Sequence, residues 1–164
     1  MRERNTTIIK YLTAVAALLS VSSAFAQHPM HQQQNDHLGA SVMPFDLARS
    51  THVFTPTADG GTQDVISKDG GPQHIALIRD HLRKEATAFA HGDYTDPTSI
   101  HGTDMPGLKE LKAGADRIRI AIEDLPQGAR LQFSTSDAAL TVALHQWFDA
   151  QVREHGADAI MQRQ

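Results

Sequence analysis

Apolar residues recur along this chain with two spacings, and the switch between them marks out its elements. Thr51-His52-Val53-Phe54-Thr55 and the run Gln63 to Ser67 around Val65 and Ile66 are β-rich, and Ala58-Asp59-Gly60-Gly61 between them predicts a hairpin. Pro56 ends the first run or places it on an edge. From Pro72 the spacing becomes helical: Ile75, Ile78, Leu82, Ala86 and Phe89 form one stripe, with proline at the first helical position. His91-Gly92 should stop this helix, glycine serving as the left-handed cap. His74 and His81 share one side of it, and His81 falls at the boundary between stripe and solvent. Period two returns from Asp116 to Leu125, where Ile118, Ile120 and Ile122 alternate with polar residues. Pro126-Gln127-Gly128 turns the chain, and Leu131 and Phe133 mark the returning strand. Ser136 or Asp137 can cap a last helix with the face Leu140, Ala143, Leu144, Trp147 and Phe148, which ends at His155-Gly156.

This order is hairpin, helix, linker, hairpin, helix. It predicts an α+β fold of two ββα units, with a four-stranded, mostly antiparallel sheet and two long helices on one face. The apolar stripes of the two halves align at an offset of 66 residues, whereas His81 and His91 match His145 and His155 at 64, so the halves resemble each other in architecture only. The linker, residues 91–108, reads HGDYTDPTSIHGTDMPGL. Pro97 and Pro106 keep long helix out of it, and a short helix is predicted from Met105-Pro106 through Leu108 and Leu111 to Gly114.

Residues 1–26 read as a signal peptide: Arg2, Arg4 and Lys10, then the apolar run Tyr11 to Val21, then Ser22 to Ala26 ending in Ala-x-Ala. The run is short for a bilayer span, so no stable membrane span is expected after cleavage, and the protein is expected to be periplasmic or secreted. Residues 27–44 read as a flexible His- and Gln-rich tail, and residues 45–164 as a single α+β domain. Cleavage would take three basic and one acidic residue from 15 Lys+Arg and 19 Asp+Glu, leaving 12 against 18, a formal charge of −6. That balance argues against nucleic acid as a partner. With no cysteine, thiol catalysis and thiolate metal sites are excluded, and all ten histidines lie beyond residue 26.

Imidazole and thioether together suit copper. In the linker His101 and Met105, with His91 or Asp104, are therefore candidate ligands, and His28 and His31 in the tail form a separate weak set. Each has a structural alternative: His91 and His155 as helix closers, Asp104 as a turn residue. Arg117, Arg119 and Arg130 are expected on the sheet face opposite the isoleucines, as a patch for an anionic ligand or an envelope protein. Ser-, phosphate-, dinucleotide- and zinc-protease motifs are missing.

At FDLARSTHVF, QHIALIRDHLRKEA and above all IHGTDMPGLKEL the chain resembles a group of small exported bacterial proteins, over about Phe45 to Asp158. Members of that group are often labelled aspartate carbamoyltransferase. The label would imply much longer catalytic chains of two α/β domains with a Ser-Thr-Arg-Thr type phosphate-binding run, and no such run stands here. The resemblance therefore implies export but transfers no catalytic residue. Three readings follow, in order of support: a non-enzymatic metal-binding domain with copper as the first ion to test, an interaction module using the arginine face, and a transferase.

Overall fold

The structure, a computed structural model, describes residues 37–163. It is α+β, built on one mixed five-stranded sheet. The strands are β1 (Ser50–Thr57), β2 (Gly60–Ser67), β3 (Arg119–Leu125), β4 (Gly128–Ser134) and β5 (Ala159–Met161). The helices are α1 (Pro72–Ala90), α2 (Thr95–His101), α3 (Leu108–Ala113) and α4 (Ala138–His155). Residues 37–42 are also helical.

Both expected hairpins form with two-residue connections, since Thr57 faces Gly60 and Leu125 faces Gly128. The hairpins join through antiparallel β2 and β4, giving the order β3-β4-β2-β1-β5. The expected four antiparallel strands are thus present, and the sheet differs from expectation by a fifth. After α4 the chain returns and lays β5 parallel to His52, Val53 and Phe54 of β1. Pro56 lies past the end of that pairing, where its missing N–H costs no ladder bond. The third strand is shorter than its alternation suggested, because residues 115–117 form a 3-10 turn.

Strand alternation sorts the sheet into two faces. His52, Phe54, Val65, Ala129, Leu131 and Phe133 are buried on one of them. Both long helices cover that face: Phe89 of α1 and Trp147 of α4 each pack against Phe133, and Phe148 packs against Phe54. Close approach is built into the sequence at Gly61, where an added Cβ would lie 2.6 Å from the Phe148 ring. The other face carries polar pairs such as Arg130 with Asp64, joined by two hydrogen bonds of 2.7 Å.

The helix ends follow local rules. α1 starts with Pro72 and stops at His91, followed by Gly92 at φ 73°. Asp137 caps α4 by accepting from the Ala139 and Leu140 N–H groups, and its other oxygen accepts from Arg117. Asp137→Ala should cost about 1 kcal/mol, the usual value of an N-cap, measurable by urea unfolding.

The linker is more ordered than its prolines suggested. Pro97 sits in the first turn of α2, where its missing N–H removes no helical bond, so a seven-residue helix forms there. α3 forms as expected. Gly107, at φ 77°, lies so close to α4 that a Cβ would meet the Ala143 carbonyl oxygen at 2.0 Å. This contact seats the linker against α4, and Met105, Leu108 and Leu111 enter the main core there. Among the described residues no helix is long and apolar enough to cross a membrane.

Candidate metal centre

Polar side chains also occupy the covered side of the sheet. On α1 the buried residues include His74, His81 and Glu85 beside Ile75, Ile78, Leu82 and Phe89. His74 has an internal explanation: its ring nitrogens reach Ser67 Oγ at 3.0 Å and Ser50 Oγ at 3.3 Å, pinning α1 to the outer ends of β1 and β2. His81 lies two turns further along and Glu85 four residues beyond it, so the two share one helix face. They line a cavity of about 40 Å³ between the sheet, α1, α2 and α4. A water needs roughly 10–15 Å³ of such space, so an ion with a water or two fits.

α2 closes the side of this cavity. It brings Asp96 from its first turn and His101 from its last residue to the lining. Asp96 is anchored by Lys84 Nζ at 2.9 Å. One ligand atom each from His81, Glu85 and Asp96 falls within 4.8 Å of the others. Three donors at that separation can meet on one ion.

The electrostatics are those of groups kept out of water. Burial pushes the Glu85 carboxyl up to about 8, and its hydrogen bond with Asp96 adds to the shift. Burial acts in the same direction on Asp96, but its bonds to Lys84 and Glu85 outweigh it and hold its carboxyl below the ordinary value. Near neutrality Glu85 therefore donates a proton to an ionised Asp96. Burial also lowers His81, with Asp96 opposing. A buried carboxyl and a buried imidazole beside the half-buried Asp96 are costly to hold away from water, and such clusters are often ligand sites.

Three further lining residues are imidazoles. His52 projects from β1, His101 from α2 and His155 from the end of α4. The His155 ring stacks on His52 at 4.8 Å between centroids and meets His101 edge-on at 5.0 Å. Burial lowers all three: His52 to about 4, His101 and His155 below the ordinary value. They are neutral rings at physiological pH.

The residues singled out from the sequence are distributed unevenly around this site. His101 lines it. Met105 does not, because it is buried in the apolar core beside Leu108 and Leu111. Asp104 is exposed. His91 is exposed at the end of α1, its Nδ1 2.7 Å from the Thr87 carbonyl, as a helix closer should be. His155 does end α4, but buried against the cavity rather than at the surface. His81, placed at the solvent boundary by its stripe angle, is only 9% exposed: the Phe45 ring packs against it at 5.6 Å, and Asp96 of α2 reaches it from the side. His28 and His31 lie outside the described residues. Met43 and Val42 lie over the cavity and contribute to its lining.

Of the three arginines, Arg119 and Arg130 stand on strands, while Arg117 belongs to the 3-10 turn and pairs with Asp137 at 2.8 Å. Arg130 is held by Asp64, with Glu123 at 3.7 Å. Two of the three cations thus already have carboxylate partners.

Glu85 was missed by sequence reasoning, although His81 and Glu85 at i, i+4 carried a readable signal, while Asp96 counted among the linker's candidate groups without being singled out. Compared with known proteins, the chain matches no family model, no curated protein and no solved structure.

Proposed function

We propose that this protein is an exported metal-binding domain that holds one divalent transition-metal ion in its buried cavity. The observation that carries this reading is the convergence of His81, Glu85 and Asp96 within 4.8 Å. One imidazole and two carboxylates suit zinc, iron or manganese. Copper has less support than His101 with Met105 suggested, since Met105 belongs to the core and Met43 is the thioether at the cavity. The ion would displace the shared proton, because a carboxylate ligand must be ionised.

The test is calorimetric titration of the cleaved, untagged protein with Zn²⁺, Mn²⁺, Co²⁺ and Cu²⁺, run at pH 7 in two buffers of different ionisation heat. One ion per chain with release of about one proton is expected, the proton coming from Glu85. Glu85→Gln should weaken binding by at least about 10-fold and abolish the proton release. No binding by the wild-type chain, or an unchanged Glu85→Gln variant, would remove this reading.

The interaction-module reading draws less support from the geometry. Arg117 and Arg130 have internal carboxylate partners, so the sheet face offers an anionic partner little uncompensated charge.

A further inference from the structure

The sheet ends on one side in the three-residue β5 and on the other in the seven-residue β3. β3 pairs with β4 in unbroken register from Arg119 to Leu125, with neither proline nor bulge, so its outer edge is long and regular. Such edges are usually blunted or covered, because their free N–H and C=O groups template pairing with another chain.

Which groups are free follows from the hydrogen bonds at the two ends of β4. The Thr135 N–H donates to the Asp59 carbonyl and the Ser67 N–H to the Gln127 carbonyl, so odd-numbered residues of β4 bond towards β2. Even-numbered residues of β4 then bond towards β3, where their partners are Arg119, Ala121, Glu123 and Leu125. The main-chain groups of Ile120 and Ile122 therefore point outwards from the sheet edge. Their side chains are half-buried and pack against the core, while Arg119 and Glu123 are exposed on the other face. On that face the charges of Asp64, Arg130 and Glu123 alternate in sign across three strands, Arg130 standing 2.7 Å from Asp64 and 3.7 Å from Glu123. Arg119 has no carboxylate partner among the described residues.

A strand that adds to this edge must match both its outward groups and its charges. β3 of a second copy does so when turned antiparallel about a two-fold axis through Ala121. Ile120 then faces Ile122 of the copy, so the two outward sets meet as a hydrogen-bonded pair. Arg119 faces Glu123 of the copy, which carries the alternating charges across the join. Registers centred on Ile120 or Ile122 keep the main-chain bonds but set Arg119 opposite Ala121 or Leu125. We propose that two copies of this protein associate edge to edge through β3, forming one continuous sheet with Ala121 on the axis. The contact is isologous and closes at two copies. No β3 residue lines the cavity, so this association is independent of metal binding.

The test is sedimentation equilibrium of the cleaved, untagged protein, with Arg119→Glu and Glu123→Arg run singly and mixed. Wild type should dimerise. Each variant alone sets like charges opposite each other at both ends of the join and should weaken self-association by at least about 10-fold. An equimolar mixture should recover it, because every cross-strand pair of the mixed dimer again joins opposite charges. In wild type the Ile120 and Ile122 amides should exchange hydrogen slowly in concentrated solution and faster on dilution, while those of Ala121 and Glu123, bonded to β4, stay unchanged. That measurement needs no variant, so it decides the matter even where a substitution prevents folding. A wild-type chain monomeric at about 1 mM, a dimer unmoved by both variants, a mixture no tighter than its parts, or Ile120 and Ile122 exchange that ignores concentration would overturn the inference.

Discussion

Acidification from pH 6.5 to 4 is expected to cost the metal-free protein several kcal/mol of stability. Burial holds His52 at about 4, against about 6.5 in an unfolded chain, and holds His81, His101 and His155 below their ordinary value. Groups with depressed folded values contribute stability that is present above the unfolded value and is lost as pH falls towards the folded one. His52 alone corresponds to about 3 kcal/mol, at 1.36 kcal/mol per unit. Glu85 works in the opposite sense. Its folded value of about 8 lies above the ordinary 4.5, so its contribution is complete below 4.5 and is lost as pH rises to 8. Four histidines outweigh one glutamate on the acid side, while above neutrality Glu85 acts alone among these groups. Asp96, Lys84, Glu154 and Asp158 face the cluster and modulate these shifts. Stability should therefore peak near pH 7, and urea midpoints measured from pH 4 to 8.5 check it. A chain equally stable at pH 4.5 and 7 would mean that the histidines are not buried as neutral rings.

Trp147→Ala should lower stability by about 3–5 kcal/mol, the usual cost of emptying a large aromatic site. The ring is 1% exposed and meets Phe89, Tyr94, Phe133 and Phe148, all with centroids within 6.2 Å. It joins α1, the linker, the sheet and α4 in one contact, so no neighbour can collapse into the void without moving an element. A fall of more than about 10 °C in the thermal midpoint follows. Leu77→Ala, on the outer face of α1 at 41% exposure, should change stability by no more than about 0.5 kcal/mol.

The long elements were legible because their apolar period repeats several times. Ile75, Ile78, Leu82 and Phe89 define a face that random placement would not, and Ile120 with Ile122 does the same for a strand. β5 was not legible: Ala159-Ile160-Met161 is too short to have a period, and it exists because α4 delivers it beside β1. α2 was missed because proline argued against helix, although a first-turn proline costs nothing. The cavity was missed for a related reason. A stripe angle assumes one partner surface, and the flank of α1 also meets the Phe45 ring, 5.6 Å from that of His81. His81 looks like a boundary residue until the second surface is in place. Met105 and His101, close in sequence, part company because the chain between them turns at Gly102, φ 82°, sending one side chain to the core and the other to the cavity.

The last strand also imposes an order of events. β5 lies beside His52, Val53 and Phe54 of β1, and the helix just ahead of it carries Trp147 and His155. A chain still lacking β5 would leave that edge of β1 unpaired, so the wall that His52 gives to the cavity is completed last.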